Sequence, residues 1–294
     1  MNLENKYVSC RLMGGLGNQL FQIFATLAYA KEWNLIPIFP YSEKLMTGTI
    51  RNTYWNSFLK GLYFYTTNNN NIPFTKEQLN TTPMLRERAF IYNKLPGIQD
   101  MYCFSLFGYF QSYKYFMKYQ DYIYNSINLK GQQEKIKTTY ASLLSSDKTN
   151  ISMHFRLDDY ISIQDCHPLM TYTYYANSLH HITEFVTTPI RLLYFCQKTD
   201  LETVSGIITQ LKQTFPSIEF MYVDSVMEDW QELLLMSCCH HNIVANSTFS
   251  WWAAYFNQNQ YKIVCYPDTW FGPKLSHNTS DLCPPEWTKI VCKN

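Results

Sequence analysis

Residues Ile243-Val244-Ala245-Asn246-Ser247-Thr248-Phe249-Ser250-Trp251-Trp252-Ala253-Ala254-Tyr255 carry the reading of the fold. A short apolar run of strand type ends in four hydroxyl or amide side chains, Asn246, Ser247, Thr248 and Ser250, and an aromatic helix then begins. The N–H groups at a helix start have no partner within the helix, so with the Ser and Thr hydroxyls they form an anion site. Ser247 or Thr248 also serves as an ordinary N-cap, with Trp251 and Trp252 as core. The two readings are compatible.

Working outward, strand-length apolar runs recur at 151–155, 190–196, 218–223, 242–245 and 262–266. Between them lie segments long enough for helices, including 200–214, 228–239 and 249–258. Strands alternating with helices at this spacing imply βαβ units and a parallel sheet covered on both faces. Ligands in such sheets bind beyond the carboxyl ends of the strands. The first half opens similarly, with a strand at 7–13, the loop Gly14-Gly15-Leu16-Gly17-Asn18 and a helix from Gln19 to Trp33, for which Asn18 is the expected N-cap. Residues 37–100 are poorly periodic, and Asn68-Asn69-Asn70-Asn71 reads as an exposed loop. Helical character returns at 112–126 and from Gln132 to Leu144, ahead of a loop Ser145-Ser146-Asp147-Lys148. The expected boundary lies at Asp147, giving domains 1–147 and 148–294 with a cleft between them.

At 294 residues the chain can bury a sizeable core without a metal or disulfide. Its 24 Lys and Arg against 23 Asp and Glu leave a net charge of +1, which argues against a bulk grip on nucleic acid, so an anionic ligand needs a local site. No apolar run reaches transmembrane length, and the first residues lack a signal-peptide layout. Nine cysteines without a C-x-x-C framework read as buried free thiols in a reducing compartment, so the expected location is cytoplasmic and the Asn-x-Ser/Thr matches at Asn80, Asn150, Asn246 and Asn278 are expected to be unmodified.

Two further segments carry chemistry. In the glycine loop, backbone N–H groups can approach a ligand at a helix start, although the third glycine of the dinucleotide fingerprint is missing and a tight strand-to-helix turn explains it equally. At the end of the first strand of the second half stands Met153-His154-Phe155-Arg156-Leu157-Asp158-Asp159-Tyr160. Alternation puts His154 and Arg156 on one face, and an Arg there can fork two hydrogen bonds onto a phosphate without a metal. An Arg–Asp ion pair capping the strand is the other reading. His240-His241 beside Cys238-Cys239 lack zinc-ligand spacing, so no metal site is expected.

Together these segments resemble the α-1,2-fucosyltransferase family, glycosyltransferase family 11. The resemblance rests on Gly14-Gly15-Leu16-Gly17-Asn18-Gln19-Leu20-Phe21-Gln22, on Gly108-Tyr109-Phe110-Gln111-Ser112-Tyr113-Lys114-Tyr115-Phe116, and on His154-x-Arg156-x-x-Asp159-Tyr160 with Tyr174-Tyr175. It closes with Ala245-Asn246-Ser247-Thr248-Phe249-Ser250-Trp251-Trp252 and Pro267-Asp268-Thr269-Trp270-Phe271. It implies an α/β, GT-B-like enzyme of two Rossmann-like domains that transfers L-fucose from GDP-fucose, with inversion and without a metal or other cofactor, to the 2-hydroxyl of a galactosyl glycan. The acceptor would lie mainly on the first domain and the donor mainly on the second. On this resemblance Arg156, Asp159 and Asn18 are the catalytic set. His154, Arg156, Asn246, Ser247, Thr248, Phe249, Ser250, Gly15 and Gly17 bind the donor. The expected partners are the nucleotide sugar and a glycan, with peripheral membrane association where the acceptor is lipid-linked. Two departures from the family's usual pattern stand out. Leu157 replaces a second arginine and Asp158 a common glycine, and Phe195-Cys196-Gln197-Lys198-Thr199-Asp200 stands where the family has S-D-D. They keep two alternatives in view: another nucleotide sugar, or an inactive carbohydrate-binding homologue.

Overall fold

In the computed structural model, which describes residues 5–46, 48–98, 100–144, 147–224 and 227–292, strand β1 (Tyr7–Cys10) is buried along its whole length. Met1 to Glu4 and the Ser145-Ser146 part of the expected loop lie outside the described residues. From β1 the chain turns through Gly14, at φ +76° where a side chain would be strained, into helix α1 (Leu16–Trp33). This helix is buried on nearly every side, consistent with a composition in which only its last turn is charged. Asn34 ends it in the left-handed conformation, a common helix stop.

The first unit comprises Met1–Lys130 and His277–Pro284. Its sheet has four parallel strands in the order β2 (Ile36–Pro37), β1, β6 (Cys103–Phe107) and β5 (Met84–Arg86). Across the stretch that reads as poorly periodic lie an antiparallel ribbon, β3 (Lys44–Leu45) with β4 (Arg51–Asn52), and helix α2 (Lys76–Thr81), started by a Thr75–Gln78 capping box. The expected helix over 112–126 is two 3₁₀ turns followed by α3 (Gln120–Ser126).

The second unit comprises Gly131–Ser276 and Pro285–Asn294. The division falls before the expected Asp147 because helix α4 (Leu129–Thr139) is tied into this unit: buried Gln133 donates to Ser237 Oγ at 2.9 Å and to the Phe256 carbonyl at 3.0 Å. Residues 277–284 go the other way, with Asp281 ion-paired to Lys114 and His277 stacked on Phe90 at 4.7 Å.

After α4 the second unit runs through β7 (Thr149–His154), α5 (Tyr172–Phe185), β8 (Ile190–Phe195), α6 (Leu201–Thr214) and β9 (Glu219–Tyr222). It continues with α7 (Asp229–Ser237), β10 (His241–Ile243), α8 (Thr248–Phe256), β11 (Val264–Pro267) and β12 (Thr288–Ile290). All five expected strands are present; α5 and β12 are additions. The sheet is parallel throughout, in the order β12-β11-β10-β7-β8-β9. From β7 the chain winds outward one way through β8 and β9, then returns and winds the other way through β10 to β12. That is the doubly wound Rossmann order, whose switch point lies between β7 and β10.

The core of this unit gathers Ile151 and Met153 from β7, Leu192 from β8, Ile243 from β10 and Cys265 from β11. Trp251 and Trp252 are fully buried, their rings 5.0 Å apart and nearly perpendicular. Each buried side chain of this size stabilises by roughly 1.5–3 kcal/mol or more. All nine cysteines are free and seven are buried. Among the described residues no helix is long and apolar enough to cross a membrane.

Glu232, in the first turn of α7, has its carboxyl pushed up to about 7 by burial, with Asp229 adding to the effect. In the unfolded chain it ionises near the ordinary 4.5, so between about 4.5 and 7 folding retains a proton that unfolding releases. This group's contribution therefore falls as pH rises through that window. Glu232→Gln is expected to raise the thermal midpoint at pH 8 by several degrees, roughly, and to leave it unchanged at pH 4. Equal midpoints for the two proteins at pH 8 would contradict it.

Candidate active site

Strands β7 and β10 are parallel neighbours, with Ile243 opposite Met153, so the residues that leave their carboxyl ends emerge side by side at the switch point. From β7 come His154 and 155–160; from β10 come residues 246–250, leading into α8. A direct bond joins the two: His154 Nδ1 lies 3.1 Å from Ser250 Oγ, both groups buried. Burial, reinforced by the Arg156 charge, pushes His154 down to about 3, so the ring is neutral at neutral pH. A base that weak cannot drive proton transfer, which leaves His154 to hold Ser250. Phe249 packs on the same ring at 5.5 Å.

Arg156 stands just beyond the strand, its side chain 19% exposed. One guanidinium nitrogen pairs with Asp159, so the ion-pair reading of this motif is realised. Another, Nη1, lies 3.2 Å from the Gln197 carbonyl oxygen once that amide is oriented so that its nitrogen donates to Asp158 Oδ2 at 3.1 Å. The guanidinium carbon also sits 5.2 Å from the centre of the Tyr160 ring, whose hydroxyl donates to the Asn246 carbonyl at 3.3 Å. Arg156 is thus held from three sides.

Asp158 has φ +34°, in the region that favours glycine. Its N–H donates to both carboxylate oxygens of Asp200 at 3.3 and 3.2 Å, which holds the strained turn. Asp200 itself is buried, and burial raises its carboxyl above the usual range although the Asp158 N–H bond pulls the other way. Leu157 is buried in the same core cluster as Met170 and Tyr175, so this position contributes packing. Sequence reasoning left Gln197 and Asp200 without roles; the signal was their place after β8, the other neighbour of β7.

In the turn after β10, Ser247 caps α8, its Oγ accepting from the Phe249 N–H at 3.3 Å, and Thr248 is the first helical residue. Asn246 is engaged elsewhere. Its Nδ2 donates to the Pro168 and Trp270 carbonyls at 2.9 and 3.2 Å, while buried Oδ1 has no hydrogen-bond partner among the described residues. The amide therefore ties three loops together.

Gly15, Gly17 and Asn18 belong to the first unit. Helix α1 starts at Leu16 with Gly15 at the cap position and no side-chain cap, so Asn18 is inside the helix and is not its N-cap. Asn18 Oδ1 instead accepts from Gln111 Nε2 at 3.0 Å. Gln22 clasps the Met13 backbone with both ends of its amide, and Gln19 donates to the Gly14 and Asn52 carbonyls. The glutamines of this motif hold the loop in shape. Among the described residues, no group of three or more His, Cys, Asp or Glu could hold a metal ion.

Two Rossmann-like α/β units, one with a cation and a helix start at its switch point, are the make-up of a GT-B-like glycosyltransferase. Comparison with known proteins agrees: the model of glycosyl transferase family 11 matches residues 83–291, and the chain belongs to that family. An α-1,2-colitosyltransferase of Escherichia coli is 25% identical over 96% of this chain and 98% of its own. The O-antigen biosynthesis glycosyltransferase WbnK of the same organism is 25% identical over 72% of this chain and 68% of its own. Among solved structures, an Arabidopsis thaliana FUT1 mutant in complex with GDP superposes with a TM-score of 0.50 at 12% identity, covering 96% of this chain and 76% of that one. This last likeness is one of fold.

Proposed function

We propose that the chain is an inverting transferase that moves L-fucose from GDP-fucose to the 2-hydroxyl of a glycan, galactosyl in type. The observation that carries this reading is the pairing of Arg156 with the start of α8 at the adjoining ends of β7 and β10. A departing diphosphate needs fixed positive charge and N–H donors where its charge develops, and this pair supplies both. Asp159 pairs with the guanidinium, and with its side chain 46% exposed it can turn to solvent as the diphosphate takes its place. Ser247 and Thr248 then add hydroxyls at the helix start, with Ser250 kept in position by neutral His154. On this reading the second unit supplies most of the donor's contacts, and the first, through Asn18, orients the acceptor.

A second donor is favoured by one observation, the full-length similarity to a protein named for α-1,2 transfer of colitose. Colitose is L-fucose without its 3-hydroxyl, so both sugars present the same anomeric carbon to the attacking 2-hydroxyl and differ by one polar group. Calorimetry with GDP, UDP and dTDP tests the nucleotide, and GDP is expected to bind at least about tenfold tighter, a difference of about 1.4 kcal/mol. Tighter binding of UDP or dTDP would overturn the GDP assignment. Release of GDP from GDP-fucose then separates a transferase from an inactive binding homologue, which releases none.

A further inference from the structure

The first unit contains a half-buried carboxylate that the reading above does not use. Strands β1, β5 and β6 are parallel, with Arg86 opposite Phe107 and Cys10 opposite Leu106. Their carboxyl ends therefore release Glu87, residues 108–111 and the loop that leads to Asn18 along one edge of the sheet. This is the edge at which sheets of this kind bind ligands. Gly108 and Phe110 are built around Glu87. A Cβ on Gly108 would collide with the Glu87 side chain. Phe110, fully buried, takes φ +52°, a strained value for a bulky residue. That turn aims two N–H groups at the carboxylate: Tyr109 donates to Oε2 at 2.8 Å, and Phe110 shares its N–H between Oε1 and Oε2 at 3.1 Å each. The next residue, Gln111, holds Asn18. The motif Gly108-Tyr109-Phe110-Gln111, which sequence reasoning singled out without a role, thus fixes one carboxylate and one amide on the same edge.

We propose that Glu87 is the carboxylate that takes the proton from the attacking hydroxyl of the acceptor. The proposal rests on the transferase reading and on the acceptor lying on the first unit. The ionised carboxylate has about four lone-pair sites, and the bonds above leave one on Oε1 for the acceptor's O–H. As the acceptor O–H bond breaks, its proton passes to Glu87 and its oxygen bonds to the donor's anomeric carbon. The bond from that carbon to the diphosphate oxygen breaks, its electron pair leaving on the diphosphate, and Glu87 later returns the proton to water. Burial raises the Glu87 carboxyl above the usual range, against the pull of the two N–H bonds, which brings it closer to the affinity a base needs. A mere clamp for the turn would need little charge, since a neutral amide oxygen in the place of Oε2 still accepts from both N–H groups and only the shared Phe110 contact to Oε1 is lost.

That difference supplies the test. Glu87→Gln keeps the acceptor oxygen and loses the base; Glu87→Asp keeps the base and shortens the reach to the turn. Turnover is followed as GDP release from GDP-fucose with lactose present and with water alone, beside GDP affinity and the thermal midpoint. The expected result is a loss in kcat of about 10²- to 10⁴-fold for Gln, with GDP affinity and midpoint at wild-type values, and higher turnover for Asp than for Gln. Turnover of the Gln variant equal to wild type, or higher than that of Asp, overturns the proposal. So does unfolding of the Gln variant while Asp folds, because the charge would then belong to the fold. The two readings fail separately: wild type that turns over a different nucleotide sugar overturns the donor, while a Gln variant that matches wild type on that sugar overturns the base.

Discussion

Arg156→Ala is expected to reduce glycosyl transfer by about 10³-fold or more while the thermal midpoint moves by only a few degrees. The two effects differ because the three partners of the guanidinium, Asp159, Gln197 and the Tyr160 ring, are all at least partly exposed, where each contact is worth about 1 kcal/mol or less. Its partner Asp159 is half exposed, and such surface pairs contribute about 1 kcal/mol or less. For a diphosphate the same group is the one arginine at the switch point among the described residues, and a forked donor set cannot be replaced by water. Arg156→Lys restores charge without the fork and is expected to recover about a tenth of wild-type turnover or less. Steady-state transfer assays on the three proteins, with GDP affinity measured alongside, check both statements. A Lys variant with wild-type turnover would show that Arg156 does not hold the diphosphate.

Asn246→Asp is expected to cost about 3–5 kcal/mol of stability at pH 7, the range for an uncompensated buried charge. The side chain is 1% exposed, and its Nδ2 is the donor to the Pro168 and Trp270 carbonyls. Replacing that nitrogen with a carboxylate oxygen sets three acceptors against one another with no water to separate them. Acid should relieve part of the loss, since a protonated carboxyl regains one donor. Urea unfolding at pH 7 and pH 5 measures it, and a variant as stable as wild type at pH 7 would place Asn246 in a wetter site than the structure shows.

The two units differ in how plainly the sequence announces them. Strands β7, β8, β10 and β11 are largely buried in a parallel sheet, so they read as mostly apolar runs such as Ile190-Arg191-Leu192-Leu193-Tyr194-Phe195, interrupted only by Arg191. In the first unit β2 has two residues and β5 three, too few for any periodicity, and β6 sits in a stretch without helical pattern to frame it. The site divides likewise. Arg156 and residues 246–250 were legible because each lies directly beyond a strand. Gln197 and Asp200 were not, because their closeness to Arg156 and Asp158 comes from the pairing of β7 with β8, which no local pattern encodes. Asn18 is not the cap because the helix starts three residues before the expected Gln19, at Leu16, on a glycine cap. The glycine that the family favours at 158 has a physical cause in the turn's φ of +34°, and in this chain Asp200 offsets the cost of an aspartate there.

The return of residues 277–284 to the first unit sets a timetable for synthesis. Domains ordinarily fold as units in the order they leave the ribosome. Here the amino-terminal unit cannot be complete when its first 130 residues emerge, because the partner of Lys114 is Asp281 and the ring stacked on Phe90 is His277. The second unit is in the same position, since β12, which pairs with β11, is translated after that excursion. Neither unit therefore reaches its final form before residues 277–290 have been made. A stop codon near residue 276 would leave each of them unfinished, and two fragments cut at residue 130 would not reconstitute the protein as independent halves.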